Sequence, residues 1–149
     1  MIYLGADHGG FHFKEKIKEF LKNDLKIDFE DLGNFQFDPE DDFPDIALKV
    51  AQKVKETNGK GIIFCTNGLG TSIVANKIKG IRAVNVFTKT MAEQAREHLD
   101  ANILCLASHF LSLKEAKKII KAWLEKNFFP KEKYLRRLEK IRKIEEAHF

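Results

Sequence analysis

Short apolar runs alternate with amphipathic segments along this chain, and this alternation is what most constrains its fold. A run such as 61–65, which is short and apolar, has the length of a strand that is buried on both faces. We predict strands at residues 2–6, 26–32, 61–65, 81–87 and 103–107. Because helical segments separate them, neighbouring strands need crossover connections and run parallel. The pattern therefore predicts an α/β three-layer sandwich around a five-stranded parallel sheet.

The intervening segments carry apolar residues at helical spacing, as at Val50 and Val54. Thr88 and Ser112 stand where N-cap residues are expected. No repeat, low-complexity segment or linker divides the sequence, so residues 1–149 are predicted to form one domain. We predict helices at residues 11–23, 45–57, 71–78, 88–99 and 112–127, followed by an extended, charged C-terminal helix.

The charge pattern argues against a nucleic-acid binder. The net charge is only +4, and residues 28–45 contain acids but no lysine or arginine. From Lys131 onward basic residues dominate, but glutamates are interleaved with them. A nucleic-acid binder more often concentrates positive charge without so many acids between. We therefore expect no nucleic-acid partner.

Two other features of the composition concern the compartment. No run approaches the roughly 18 apolar residues of a membrane span, and the apolar stretch before Asp7 is too short for a signal peptide. Cys65 and Cys105 lie in apolar runs without metal-site spacing, which suits a reducing compartment. We expect a cytoplasmic protein with no membrane partner and no bound metal.

The strongest chemical signal lies at the carboxyl end of a predicted strand, where ligands bind in open parallel sheets. At residues 65–72 (Cys-Thr-Asn-Gly-Leu-Gly-Thr-Ser) a strand ends in Cys65, and a glycine-containing turn leads into a helix. Glycines let the backbone approach a ligand, and free amides at a helix start attract anions and favour a thiolate. A thiolate beside an anion cradle suits proton abstraction next to a carbonyl. A buried structural cysteine before an ordinary turn is an equal alternative.

Three further polar residues are candidates, each with a structural alternative. Asp7 and His8 follow the first strand and precede two glycines, so they are candidates for binding sugar hydroxyls or phosphate. Alternatively, Asp7 caps the following helix and His8 is a surface residue. His98 ends a predicted helix, where the alternative to catalysis is an interaction with the helix dipole.

Several segments in a fixed order carry a resemblance. They are residues 5–10 (Gly-Ala-Asp-His-Gly-Gly), 31–33 (Asp-Leu-Gly), 61–77 (Gly-Ile-Ile-Phe-Cys to Ala-Asn-Lys), 80–83 (Gly-Ile-Arg-Ala), His98 with Asn102, and the basic terminal helix. In this combination, and over nearly its whole length, the chain resembles the ribose-5-phosphate isomerase B family. That family also contains galactose-6-phosphate and allose-6-phosphate isomerases.

The resemblance implies a Rossmann-like sheet, no metal or other cofactor, and a homodimer or homotetramer whose sites are shared between chains. It implies reversible isomerisation of ribose 5-phosphate and ribulose 5-phosphate through a cis-enediolate. By resemblance, Cys65 is the base that moves the proton, and His98 assists opening of the furanose ring. The other implied roles are hydroxyl binding by Asp7, phosphate binding by His8, Lys133 and Arg137, and an anion hole formed by the amides of Asn67, Gly68, Leu69 and Gly70.

The chain departs from the family pattern in the turn after Cys65, at Thr66 and Asn67, and at Leu99, His109 and Lys133, the last of which replaces a usual arginine. The usual turn Cys-Gly-Thr-Gly-x-Gly is changed, so that the Asn67 amide replaces a threonine hydroxyl near the reacting oxygens. Leu99 replaces a polar residue, and His109, which we include among the substrate-binding residues, replaces an arginine. Two alternatives therefore remain: an isomerase of allose or galactose 6-phosphate, and a non-catalytic sugar-phosphate sensor. We also expect the acidic residues 38–42 to meet the basic tail of a partner chain.

Overall fold

The computed structural model describes residues 1–147 and is built around a five-stranded sheet in which all neighbouring strands are parallel. The strand order is β2-β1-β3-β5-β4. This confirms the predicted α/β fold, and the last two residues of the predicted domain lie outside the described part of the chain. The strands are β1 (Ile2–Ala6), β2 (Phe29–Asp31), β3 (Lys60–Cys65), β4 (Ala83–Asn85) and β5 (Ile103–Ala107).

Two strands are shorter than the sequence predicted, and both lie at the edges of the sheet. The segment predicted at 26–32 is extended only at Phe29–Asp31, because Lys26 has a left-handed backbone conformation with φ of 55°. The segment predicted at 81–87 pairs only at Ala83–Asn85. An edge strand pairs with one neighbour only, so less of its length is held in a ladder.

All predicted helices are present, with ends that differ by a few residues. Thr88 and Ser112 cap α4 and α5 as predicted, because their hydroxyls accept hydrogen bonds from the N–H groups of Met91 and Glu115. Within residues 1–147, no helix is both long and apolar enough to cross a membrane. The helices are α1 (Phe11–Glu19), which continues as a π-helical turn (Phe20–Asp24), α2 (Phe43–Thr57), α3 (Leu69–Ala75), α4 (Lys89–Leu99), α5 (Leu113–Glu125) and α6 (Glu132–Glu146).

Helix α3 begins two residues before its predicted start and ends three residues before its predicted end. Its first N–H, that of Leu69, donates to the side chain of Asn67 at 3.0 Å. Just beyond its end, the Asn76 side chain exchanges two hydrogen bonds with the backbone of Ala83, at 2.9 and 2.8 Å. These contacts turn the chain early toward β4.

The helices cover both faces of the sheet, because alternate strand residues point to opposite sides. Helices α1, α4 and α5 cover one face, whose strand residues include Leu4, Ile62, Phe64, Leu104 and Leu106. Helices α2 and α3 cover the other face, whose strand residues include Tyr3, Ile63, Ile103 and Cys105. The sheet is the middle layer of the predicted three-layer sandwich.

The strand order places a crevice at the ends of β1 and β3. From β1 the chain passes through α1 to β2 on one side, and through α2 it returns to β3 on the other side of β1. In open α/β sheets, ligands bind at the carboxyl edge where the connections diverge in this way. The residues that follow β1 and β3, beginning with Asp7 and Thr66, therefore flank the crevice.

Candidate active site

Cys65 is the last residue of β3 and is 5% exposed. Its Sγ accepts a hydrogen bond from the backbone N–H of Gly68 at 2.9 Å. The hydroxyl of Thr71, in the first turn of α3, lies 3.4 Å from the same sulfur. The sulfur thus has one N–H donor and one hydroxyl within hydrogen-bonding distance.

The side chain of Asn85, the last residue of β4, contacts the turn after Cys65 and supports it. The Asn85 side-chain amide donates to the carbonyl oxygen of Asn67 at 2.9 Å. Gly68 has a left-handed backbone conformation with φ of 76°, and a Cβ at that position would lie 2.5 Å from Asn85 Oδ1. Asn85 Oδ1 is buried and, among the described residues, has no hydrogen-bond partner. The turn therefore requires glycine at position 68 both for its conformation and for its contact with Asn85.

The segment after β1 packs directly against the end of β3 and against Thr66, the first residue after it. A Cβ on Gly10 would lie 2.2 Å from the backbone oxygen of Phe64, so the two segments touch through their main chains. The Ser108 hydroxyl, after β5, lies 2.6 Å from the backbone oxygen of Gly9 and 2.9 Å from that of Cys65. The His109 N–H donates to the carbonyl oxygen of Thr66 at 3.1 Å. Three strand ends thus form one compact edge.

Asp7 is a buried carboxylate at this edge, with 7% of its surface exposed. Its Oδ1 accepts a hydrogen bond from the N–H of Gly10 at 3.2 Å. Burial raises the pKa of Asp7, the charge of neighbouring His8 opposes this, and Asp41 reinforces it. Gly10 rather than Asp7 occupies the N-cap position of α1, so the alternative in which Asp7 caps that helix is wrong.

His8 is paired with Asp41, a residue that the sequence analysis did not select. The His8 ring donates through Nδ1 to Asp41 Oδ1 at 2.7 Å, and the His8 N–H donates to the same oxygen at 3.0 Å. The side-chain amide of Asn34 donates to Asp41 Oδ2. The hydrogen bond to Asp41 raises the pKa of His8. Asp41 therefore points inward, so it does not belong to the acidic surface that we expected at 38–42.

The same pair bears on metal binding. The ligand atoms that Asp7, His8 and Asp41 offer lie within 4.8 Å of one another. However, the His8 ring and the Asp41 carboxylate are hydrogen-bonded to each other, which satisfies both groups without an ion. This geometry does not call for a metal.

His98 and Arg137 lie in a different place from Cys65. They line a pocket of about 460 Å³ between α4 and α6, together with Asn85, Met91, Leu99 and Tyr134. The His98 ring stacks on the ring of Tyr134, with centroids 4.6 Å apart. Lys133 Nζ lies 5.1 Å from the Tyr134 centroid. Among the described residues, Cys65, Asp7 and His8 are not part of the pocket lining.

The predicted site residues therefore fall into two groups in one chain. The cysteine group comprises Asp7, His8, Cys65, Asn67, Gly68, Leu69, Gly70 and His109. The pocket group comprises His98 and Arg137, which line the pocket, and Lys133, which lies outside the lining but beside the Tyr134 ring. Asn85 borders both, because it contacts the turn and also lines the pocket. The sequence analysis missed Asn34, Asp41 and Asn85. Asp41 stood out only as one member of an acidic run, Asn34 lies in the same loop without any signal, and Asn85 lies inside an apolar run.

Comparison with known proteins shows the family to which the chain belongs. A family model described as ribose/galactose isomerase matches residues 2–141. The chain belongs to the ribose/galactose isomerase family. The resemblance seen in the sequence is confirmed, and so is the prediction that the protein is an enzyme that isomerises a sugar phosphate.

Members of this family with solved structures share the whole architecture. The ribose-5-phosphate isomerase B of Clostridium thermocellum is 40% identical, with a TM-score of 0.94 and coverage of 99% of both chains. The enzyme from Mycoplasma genitalium, solved with bound ribulose 5-phosphate, is 39% identical, with a TM-score of 0.92 and coverage of 97% of this chain and 95% of that one. A relative compared by sequence, the D-erythrulose-4-phosphate isomerase 2 of Mycolicibacterium smegmatis, is 32% identical over 131 residues, covering 87% of this chain and 86% of that protein.

Proposed function

We propose that this protein interconverts ribose 5-phosphate and ribulose 5-phosphate, with Cys65 as the base that moves the proton. The observation that carries the proposal is the Cys65 sulfur at the crevice edge, bonded to the Gly68 N–H and contacting the Thr71 hydroxyl. The Mycoplasma genitalium relative, which binds ribulose 5-phosphate, supports this substrate class. One sheet carries both core clusters, which supports a single domain over residues 1–149.

The chemistry is a proton transfer between neighbouring carbons. In the open-chain aldose, the Cys65 thiolate removes the proton from C2, and the electron pair forms a C1–C2 double bond as the carbonyl oxygen at C1 becomes an enediolate oxygen. The thiol then returns the proton to C1, and the oxygen on C2 becomes the ketone carbonyl as its hydroxyl proton leaves for the oxygen on C1. Cys65 ends the cycle as a thiolate, so no external acid or oxidant is consumed.

The backbone N–H groups of the turn face different hydrogen-bond acceptors. The N–H of Gly68 is directed at the cysteine sulfur and the N–H of Leu69 at the Asn67 side chain. We therefore assign Gly68 to stabilising the thiolate, and the side-chain N–H of Asn67 and the backbone N–H of Gly70 to the enediolate oxygen. Asp7 is assigned to the substrate hydroxyls, because it lies beside this turn and its burial favours interaction with a donor.

The pocket group enters the site from a second copy of the chain in this proposal. His98 would assist ring opening, and Arg137 and Lys133 would bind phosphate, with His8 and His109 contributing from the cysteine group. The pocket lining excludes Cys65 and Asp7 among the described residues, which supports a shared site. Four large apolar side chains near the two groups are exposed in one chain, and pairing with a second chain would cover them: Leu69, Ile73, Met91 and Leu99.

The first experiment compares the isomerisation of ribose 5-phosphate by the wild type, Cys65→Ala and Cys105→Ala. Cys105 is the matched control, since it is the other buried thiol on the same face of the sheet. We expect Cys65→Ala to lose turnover while it still binds ribulose 5-phosphate, and Cys105→Ala to remain active. Turnover by Cys65→Ala at the wild-type rate would remove Cys65 from the mechanism.

A second experiment tests the shared site. Cys65→Ala and His98→Ala are each expected to be nearly inactive, but a mixture refolded together should recover activity. Random pairing makes half of the dimers mixed, and each mixed dimer has one intact site, so about a quarter of wild-type activity is expected. If the mixture stays as inactive as its components, His98 and Cys65 act within one chain or His98 is not needed.

The substrate itself has one alternative that a relative supports. The Mycolicibacterium smegmatis relative is named for D-erythrulose 4-phosphate, so members of this family differ in the sugar phosphate they use. Erythrulose 4-phosphate, allose 6-phosphate and galactose 6-phosphate should be assayed beside ribose 5-phosphate. Turnover of another sugar phosphate alone would keep the Cys65 mechanism and change the substrate. Absence of turnover with all four, together with binding, would favour the sugar-phosphate sensor.

A further inference from the structure

A carboxylate lies directly behind His8, 33 residues away in sequence. Asp41 Oδ1 accepts both the backbone N–H and the ring N–H of His8, and Asp41 Oδ2 accepts the side-chain amide of Asn34. The Asp41 side chain is 8% exposed, whereas that of His8 is 41% exposed. A carboxylate that is shielded from water, with both oxygens bonded, acts on its neighbour with little screening.

The loop that carries Asn34 is itself fixed. The Asn34 N–H donates to the carbonyl oxygen of Ala6, at the end of β1, at 3.0 Å. The carbonyl oxygen of Asn34 accepts a hydrogen bond from Lys14 Nζ at 2.5 Å. Lys14 is fully buried and also pairs with Asp31 at 2.7 Å. Asn34 is therefore a rigid support for Asp41, and Asp41 for the His8 ring.

The contact leaves one ring nitrogen of His8 for a ligand. Since Nδ1 donates to Asp41, Nε2 is the nitrogen that remains. In the neutral ring Nε2 carries a lone pair, which repels phosphate oxygens, whereas in the charged ring it carries an N–H that can donate to them. Phosphate binding at His8 thus requires the imidazolium form.

We propose that Asp41 is a positioning residue that orients the His8 ring and keeps its Nε2 nitrogen a hydrogen-bond donor to the phosphate of the substrate. The proposal rests on the proposed function for the identity of that phosphate. The hydrogen bond to Asp41 raises the pKa of His8, and burial opposes this rise. Within the part of the chain that the structure describes, the charged groups that act on the ring are Asp7, Asp38 and Asp41.

The test compares Asp41→Asn with Asp38→Asn, which removes the same charge. Asp38 is exposed, makes its side-chain hydrogen bond to the N–H of Glu40 and has none to His8, so it is the matched control. The His8 ring signal is followed by NMR across the pH range, assigned through the signal that disappears in His8→Gln. We expect the pKa of His8 in the wild type to lie above the ordinary histidine value. In Asp38→Asn the pKa of His8 should stay close to the wild-type value, and in Asp41→Asn it should be lower.

The second readout is the pH dependence of phosphate affinity, measured with inorganic phosphate as the probe and with KM for ribose 5-phosphate. Above pH 7 the phosphate is a dianion, so His8 is the partner that changes charge. At pH values between the pKa of His8 in Asp41→Asn and its higher pKa in the wild type, the inhibition constant and KM of Asp41→Asn should exceed those of the wild type by up to roughly tenfold, the effect of losing one charge-assisted hydrogen bond. The two proteins should converge at acidic pH, and kcat should change much less than KM.

Failure of the proposal and failure of the proposed function give different results. If the protein does not isomerise ribose 5-phosphate but the His8 signal and inorganic phosphate affinity depend on Asp41, the positioning role stands and the substrate is wrong. If Asp41→Asn and Asp38→Asn have the same His8 titration and the same phosphate affinity, the positioning role is wrong. Should Asp41→Asn not fold, a wild-type His8 that titrates at the ordinary value would equally overturn it.

Discussion

Replacing Gly68 by alanine tests how the turn after Cys65 is held. Gly68 has φ of 76°, a left-handed conformation that costs an alanine about 1–2 kcal/mol. The new Cβ would also lie 2.5 Å from Asn85 Oδ1, so the Asn85 side chain must move. That movement breaks its 2.9 Å hydrogen bond to the Asn67 oxygen, which adds about 1 kcal/mol. We expect Gly68→Ala to lower the free energy of unfolding by about 2–3 kcal/mol.

Gly80→Ala separates the two contributions. Gly80 has φ of 86°, and a Cβ there would meet no atom within 4 Å. This control therefore carries the conformational cost alone, about 1–2 kcal/mol, and it should leave turnover unchanged. In an Asn85→Ala background the clash at Gly68 disappears, so adding Gly68→Ala should cost no more than Gly80→Ala does.

The assays are denaturant unfolding and steady-state kinetics with ribose 5-phosphate. Because the Gly68 N–H lies 2.9 Å from the Cys65 sulfur, a displaced turn should also lower kcat, by about tenfold for one weakened hydrogen bond to a charged group. Equal destabilisation by Gly68→Ala and Gly80→Ala would refute the reasoning that Asn85 supports the turn. Unchanged kcat in Gly68→Ala would refute the link from Gly68 to the cysteine.

Three further predictions concern a buried ion pair, the phosphate residues and the second cysteine. Lys14→Met removes one partner of a buried pair and should lower the free energy of unfolding by about 3 kcal/mol, the low end for such a change because Lys18 still binds Asp31. Burial raises the pKa of Asp31, but hydrogen bonds from Lys14 and Lys18 outweigh this effect and hold the pKa below its ordinary 3.8. The stabilisation by Asp31 is therefore present above pH 3.8 and is lost as the pH falls through the lower pKa of the folded state. This loss of stability in acid should be smaller in Lys14→Met. Arg137→Ala should raise KM for ribose 5-phosphate about tenfold with little change in kcat, because phosphate is bound in both the ground state and the transition state. Cys105 should not react with iodoacetamide in the native protein at about pH 8, because burial raises its pKa to about 12.

Controls for these predictions lie close by in the chain. Lys16→Met, on the exposed side of α1, should leave stability almost unchanged, and an equal loss would show that the Lys14 effect is not due to the ion pair. Arg136→Ala, exposed and outside the pocket lining, should leave KM unchanged; a fall in kcat alone for Arg137→Ala would contradict the phosphate role. Alkylation of Cys105 in denaturant, followed by mass spectrometry, shows that the reagent reaches it once the fold is lost.

The central strands could be located from sequence to within a residue, and the edge strands could not. Strands β1 and β5 have the predicted bounds, and β3 begins one residue early, because a strand with neighbours on both sides and helices on both faces is apolar throughout. In β2 and β4, only three residues of each predicted run pair with the sheet. The sequence of such a segment indicates its propensity to form a strand. It does not indicate at which residue the segment stops pairing with its one neighbouring strand.

In the candidate site, too, some residues could be selected from the sequence and others could not. Cys65 and Asp7 could be selected because the carboxyl ends of parallel strands meet at one edge, which needs only the strand assignments. Their roles as base and ligand stay predictions. The support beneath the turn by Asn85 and the pairing of Asp41 with His8 could not be foreseen, because each joins segments that are 18 or 33 residues apart in the chain.

By itself the sequence determined the class of fold, the family and the position of Cys65 at the end of a strand, because these depend on local periodicity and on motifs that each lie within one segment. Only the tertiary structure decided that His98 and Arg137 line a pocket apart from Cys65, and that Asp41 points inward to His8. Such contacts depend on the relative position of loops and helices. Hydrophobic patterning does not fix these positions, because the same pattern of buried apolar residues is compatible with many arrangements of the polar surface residues.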